Sequence, residues 1–348
     1  MSPRFAYALR IFGVLLLIMV ASLPAAENQA SARRFEVTYQ VTVPALAAEN
    51  GPLHLWIPLP PSDAYQDISE LKIESPVRYK LERESEYGNR LAYFEVNPQR
   101  VKTPFEVVLR FHTTRREHRV TLTPVAANAA PHESRAVLAR FLQRDKLVPL
   151  DGAIAELSHQ QTEGVTDPQQ KARKIYDYVV ATMRYDKSGQ GWGRGDAIWA
   201  CTAKRGNCTD FHSLFIGMMR VAGIPSRFEI GFPLPADKTE GDISGYHCWA
   251  EFYLNGVGWV PVDASEAWKN PAKRDYFFGA HDVNRVRFTD GRDIRLDAHQ
   301  KGDPLNYFIY PYAELQGKRF DGLKSHFAFR DLPPAVPGAD KVRTTAGR

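Results

Sequence analysis

From Phe35 to Val43 the chain alternates without a break. Phe35, Val37, Tyr39, Val41 and Val43 are separated by Glu, Thr, Gln and Thr. Phe105, Val107, Leu109 and Phe111 repeat with the same period of two. Shorter apolar runs near 53–59, 73, 79–81 and 91–96 lie between Pro, Gly, Asn and Ser signals. Short strands at this spacing predict an all-β sandwich over residues 33–124. His54, His112 and His118 read as strand or surface residues of that region rather than ligands. After the linker 124–131 the period becomes helical. A helix starts near Ala136–Phe141. The next has Asp167 as N-cap, Pro168 at its first position, Gln170 as capping-box partner, and a stripe of Ala172, Ile175, Tyr176, Val179, Val180 and Met183.

The most informative run begins at Cys208. Phe211, Leu214, Phe215, Met218, Met219 and Ala222 recur at helical spacing and stop at Gly223, with Pro225 beyond. Asn207 suits the N-cap, and Asp210 suits the positive end of the helix dipole. Strands follow over 227–232, 247–254 and 257–262, with Asn255-Gly256 as a turn signal. The segment beyond Tyr276 is mixed, and the Pro-, Ala- and Gly-rich tail 331–348 reads as disordered. The glycine loop 189–195 has neither the preceding strand nor the Gly-Lys-Ser of a phosphate cradle. It reads as a mobile lip carrying Trp192.

Arg4 and Arg10 precede an apolar run from Ile11 to Leu23 and then small residues, the pattern of a signal peptide over 1–26. Cleavage after Ala26 or after Ala32 fits, and an uncleaved anchor is the alternative. The mature form is then exported, periplasmic or secreted, with no membrane span. The formal net charge of +5 includes those two arginines, and the remaining charge is dispersed, which argues against nucleic acid as a partner. Three cysteines, Cys201, Cys208 and Cys248, make no disulfide framework. Whether Cys201 pairs with Cys248 stays open.

A thiol at a helix N-terminus can ionise near neutral pH, but it needs a base to act as a nucleophile. His212, one turn along the same helix, is aimed poorly and reads as support. His247 opens one strand and Asp263 ends the next, so the two can share a sheet edge behind the helix. The constellation is Cys208 as nucleophile, His247 as base and acid, and Asp263 as orienter. It carries a geometric condition. With a two-residue turn at Asn255-Gly256, Asp263 would face the side of Cys248. Only an odd loop or a bulge near Pro261 returns it to the face of His247.

Gly206-Asn-Cys-Thr-Asp-Phe-His212, His247-Cys-Trp-Ala-Glu-Phe-Tyr253 and Gly258-Trp-Val-Pro-Val-Asp263 resemble the three blocks of the transglutaminase-like superfamily. The resemblance covers about 168–263. It implies an α+β chain with a papain-like transglutaminase core over 132–315, preceded by the β-sandwich. It also implies a Cys-His-Asp triad on Cys208, His247 and Asp263, acting on a protein or peptide substrate through a thioester. Peptide or amide hydrolysis is the expected outcome. Crosslinking by transamidation, and a non-catalytic envelope module, are the alternatives. The Cys208 N–H is one candidate oxyanion donor, with Gln190 or Trp192 as candidates for a second. No cofactor or metal is implied, and no acidic loop suggests calcium. Cys201, Cys208, His247 and Cys248 make a poor zinc set, because neighbours on a strand point to opposite faces.

Overall fold

In a computed structural model that describes residues 31–47, 51–122 and 133–333, the alternating segments of the N-terminal third are strands. They are β1 (Ala32–Val43), β2 (Leu53–Leu59), β3 (Gln66–Glu74), β4 (Tyr79–Arg83), β5 (Arg90–Val96), β6 (Phe105–Arg116) and the short β7 (His118–Arg119). The core follows with α1 (Arg135–Arg140), α2 (Gly152–Thr162), α3 (Pro168–Thr182), β8 (Arg184–Tyr185), α4 (Ala197–Ala203), β9 (Arg205–Gly206) and α5 (Cys208–Val221). Next come β10 (Ser226–Pro233), β11 (Glu240–Asp242), β12 (His247–Leu254), β13 (Gly258–Val262), α6 (Ala264–Lys269), β14 (Ala280–His281) and β15 (Arg285–Asp290). The last strands are β16 (Tyr312–Leu315), β17 (Lys318–Arg319) and β18 (Lys324–Asp331). The expected signal peptide over 1–26, the linker 124–131 and the tail from 334 lie outside the described residues. Among the described residues no helix is long and apolar enough to cross a membrane.

Period-two alternation buries one face of the two longest strands, β1 and β6. Phe35, Val37, Tyr39, Val41 and Val43 of β1 are all buried, as are Val107, Leu109 and Phe111 of β6. Two five-stranded antiparallel sheets result, in the orders β11-β18-β1-β6-β3 and β17-β16-β2-β5-β4. Their apolar faces join one core, which makes the β-sandwich. Strands from the far end of the chain complete both sheets, because β18 pairs with β1 and β16 with β2. Asp331 therefore belongs to a strand rather than to a disordered tail. It pairs with Phe35 and is held by Arg33 Nε at 2.9 Å.

The second layer is the antiparallel sheet β13-β12-β10-β15, with α5 packed against β12 and β10. The sequence shows one apolar stripe on α5, yet every residue from Cys208 to Arg220 is buried. A helix enclosed on all sides needs neighbours all round, and α2, α3, α4 and α6 supply them. Its large apolar side chains, Phe211, Leu214, Phe215, Ile216, Met218 and Met219, each contribute about 1.5–3 kcal/mol on burial, which fixes the helix against the sheet. It ends where expected. Gly223 takes φ 80°, and Ile224 N–H reaches back to Met219 O at 2.9 Å. Asp167 caps α3 as expected, its Oδ1 accepting from Gln170 N at 2.8 Å, without the return bond from the Gln170 side chain that would make a capping box.

Candidate functional site

The start of α5 is built by its own first turn. Asn207 Oδ1 accepts from Thr209 N (2.9 Å), and Asp210 Oδ2 accepts from Asn207 N (2.9 Å). This reciprocal cap satisfies donors that a helix N-terminus otherwise leaves bare. The same Asp210 carboxylate accepts from Gly193 N (2.7 Å) and Gly195 N (3.0 Å). Buried Arg292 donates to Gly195 O (2.7 Å) and Arg194 O (3.1 Å). The sequence suggests a mobile lip here, but its 193–195 limb is tied down by these two buried charges. Trp192 Nε1 donates to Gly189 O at 3.1 Å, so this indole closes its own loop instead of pointing a donor at the thiol.

Gly206 sits at φ 146°, and a Cβ there would stand 2.2 Å from Asp210 Oδ2. A side chain would collide with the carboxylate that ties cap and loop together. Gly206→Ala is expected to destabilise the chain by roughly 1–3 kcal/mol. A urea melt measures the loss. An unchanged midpoint would show that the cap tolerates displacement.

The β12–β13 hairpin meets the geometric condition. Leu254 pairs with Gly258, and Ala250 with Val262, so the loop is the three residues Asn255–Val257. Val257 N donates to Leu254 O at 3.1 Å, and Gly256 takes φ 74°. The odd count sends Asp263 to the face of His247, and His247 Nε2 donates to Asp263 Oδ2 at 2.7 Å. The carboxylate can only accept, so Nε2 carries the proton. Nδ1 is left for the Cys208 thiol, whose charge helps to raise the imidazole pKa. Cys208, His247 and Asp263 are all buried.

Asp263 is held by donors on every side. Oδ2 also accepts from Arg285 Nη1 (3.0 Å), and Oδ1 accepts from Glu266 N (3.0 Å) and Ser265 Oγ (3.1 Å). It is thereby the N-cap of α6 as well as the partner of His247. Burial pushes its pKa up, but the His247 and Arg285 charges and the His247 hydrogen bond hold it well below the usual carboxylate range. Burial alone would lower the His247 pKa. The Asp263 charge and hydrogen bond instead push it up to about 10. Burial alone would raise the Cys208 pKa. Hydrogen bonds from Cys248 and His247, and the His247 charge, bring it well below a thiol's ordinary value. The arrangement favours a thiolate–imidazolium pair beside an ionised carboxylate.

One of these partners, Arg285, carries no sequence signature. Arg285 stacks on Trp249, 4.8 Å from the ring centroid, and lies too far along the chain from the motifs to be noticed. Cys248 keeps its proton, since burial and the nearby Cys208 sulfur raise its pKa, and its Sγ lies 3.7 Å from His212 Nδ1. All three cysteines are free thiols, which answers the question of a Cys201–Cys248 bridge. His212 is the support expected of it. Its Nδ1 donates to Cys208 O (2.8 Å), and its Nε2 accepts from Ala264 N (3.1 Å), linking α5 to α6. Tyr246, just before His247, accepts from Asn207 Nδ2 at 3.0 Å and joins the helix cap to the strand.

Residues 155–264 match the model of the transglutaminase-like superfamily. An uncharacterized protein of Haemophilus influenzae is 29% identical over 332 residues, spanning 85% of this chain and 89% of that one. A candidate cysteine protease from Cytophaga hutchinsonii aligns over 88% of this chain and 93% of its own, at 16% identity and a TM-score of 0.59. At that identity the likeness is one of fold. The periplasmic domain of TgpA from Pseudomonas aeruginosa aligns over 71% of this chain and 93% of that one, at 15% identity and a TM-score of 0.35.

Proposed function

We propose, from the premise that this chain carries a transglutaminase-like superfamily core over residues 155–264, that it is an exported thiol enzyme opening amide or peptide bonds through a thioester. The observation that supports this reading is the buried Cys208–His247–Asp263 group, in which His247 Nε2 donates to Asp263 Oδ2 at 2.7 Å and the surroundings lower the thiol and carboxyl pKa values and raise that of the imidazole. The Cys208 thiolate attacks the carbonyl carbon, and the first-turn N–H of Cys208 faces the oxygen that becomes anionic. As the C–N bond breaks, the proton on His247 Nδ1 passes to the departing nitrogen and the thioester remains. Water then attacks that thioester. His247 takes a proton from the water, and the acid product leaves. Throughout, Asp263 and Arg285 hold the ring so that Nδ1 faces the sulfur. Export rests on the charge and hydropathy order of residues 1–26.

The test is a glutamine-containing peptide, supplied with and without a primary amine. The expected products are a transient acyl adduct on Cys208 and the hydrolysed side chain or backbone, with no amine incorporated. Incorporated amine would replace hydrolysis by transamidation. No adduct under either condition would remove the nucleophile role.

A further inference from the structure

Away from the thiol, the segment that follows the sandwich meets the core sheet at a second cluster of reactive side chains. His118 and His281 are direct cross-strand partners in the β7–β14 pair, with rings 6.1 Å apart and nearly perpendicular. Glu251 of β12 completes the group. One ligand atom from each of the three lies within 4.8 Å of the others, and all three residues are buried. His118, which the sequence suggests is a strand or surface residue, is only 4% exposed.

Two features of the trio suit a ligand role. His281 Nε2 lies 3.2 Å from the carbonyl oxygen of Val262, so it carries the proton and Nδ1 keeps its lone pair. That Nδ1 is buried and has no hydrogen-bond partner among the described residues. An imidazole anchored through one N–H to a backbone carbonyl, with its other nitrogen bare, is the arrangement that presents a histidine to a metal. His118 Nδ1 stands 3.1 Å from Glu251 Oε1. Two ligands bonded to one tetrahedral zinc ion at about 2.0–2.2 Å stand about 3.3–3.6 Å apart, so the pair need open by only a few tenths of an ångström. Glu251's other oxygen is already held by Arg227 Nε at 2.9 Å, which fixes the carboxylate's orientation. The His118 ring is stacked on Tyr65 with centroids 3.6 Å apart.

We propose that His118, Glu251 and His281 form a binding site for one divalent cation of the zinc class. Two imidazoles and one carboxylate are a donor set suited to zinc, and a fourth position is available to water. A cavity of about 290 Å³ lined by both His118 and Glu251 gives that water room. Arg115, Arg227 and Arg287 also line the cavity and oppose a dication; the Asp63 and Glu251 carboxylates partly offset them, while burial and the Glu251 charge push the Glu229 pKa up to about 8. Binding exchanges the His118–Glu251 hydrogen bond for two metal bonds. The His118 Nδ1 proton leaves to solvent or reappears on Nε2. The ligands come from residues 118, 251 and 281, so the ion fastens the end of the sandwich segment to the core sheet.

The test uses the full mature chain carrying Cys208→Ala, which removes the thiolate as a competing ligand and makes the result independent of activity. After chelator treatment, Co2+ and Zn2+ are titrated separately. The expected result is one Co2+ per chain with the visible band of a low-coordinate nitrogen and oxygen site. At saturating Zn2+ the expected rise in Tm is about 5 °C. His281→Phe keeps an aromatic ring, somewhat larger, but offers no lone pair, and Glu251→Gln keeps the shape but lacks the charge. Each is expected to weaken Co2+ binding by on the order of 100-fold or more. Absence of stoichiometric binding overturns the proposal. So does Co2+ affinity kept within about threefold in whichever variant folds, because a merely hydrogen-bonded trio would not require either ligand.

Discussion

Cys208→Ala is expected to lower kcat on an amide substrate by about a million-fold, to the background left by binding alone, and to abolish the acyl adduct. The loss is this large because no neighbouring group can take the role. Cys248 is the nearest other thiol, but it stays protonated. The proton inventory makes a companion expectation. With the thiol pKa lowered and the His247 pKa raised to about 10, thiolate and imidazolium coexist across the neutral range. Alkylation of Cys208 by iodoacetamide is then expected to be nearly independent of pH between about 6 and 9, whereas a free thiol with a pKa of about 8.5 speeds up tenfold per pH unit below that value. The shape of the profile is the criterion, because a thiol only 2% exposed reacts slowly whatever its charge. Turnover is expected to fall as pH rises through the His247 pKa, since the leaving nitrogen then loses its proton source. A profile that climbs like that of a free thiol would mean the ion pair does not form.

The parts of the molecule that show in the sequence are those whose cause is local. Alternation in 35–43 and the cap–stripe–glycine order of 207–223 each follow from neighbours a few residues apart, and both elements form as read. The face taken by Asp263 is also local, since it depends only on the parity of the loop at 255–257. What does not show is set by distance along the chain. β18 joins β1 across almost the whole sequence, and no periodicity in 324–331 announces that partner. Arg285 is one arginine among many until the fold places its guanidinium on Asp263. The glycine loop reads as flexible from composition, but Asp210 and Arg292 reach it from 15 and 97 residues away. His118 looks unremarkable alone and becomes part of a cluster only when β7 pairs with β14.

Asp263→Asn is expected to cost about 10⁴-fold in kcat while leaving most of the chain folded. The reason lies in the direction of its hydrogen bonds. His247 Nε2–H and Arg285 Nη1–H converge on Oδ2, and Glu266 N–H and Ser265 Oγ converge on Oδ1. An amide must place its NH₂ group at one of these two positions. At Oδ1 it meets the Glu266 N–H and uncaps α6, although Ser265 can turn to accept. At Oδ2 it meets Arg285, which cannot accept, and it forces His247 to accept at Nε2. The imidazole proton then moves to Nδ1 in a neutral ring, so the ring cannot draw a proton from the thiol. In both placements the negative charge that raised the His247 pKa is gone, so the thiolate–imidazolium pair loses its support. Stability is expected to fall by about 1–3 kcal/mol, the range for one unsatisfied buried partner. The value is not larger, because Arg285 keeps a second carboxylate, Asp282, at 3.4 Å. Two measurements separate the effects. A urea melt reads the stability change, and the alkylation profile of Cys208 reads the proton. The profile is expected to shift from flat to rising with pH. A variant that melts early but keeps a flat profile and near-normal kcat would show that Asp263 serves the fold alone.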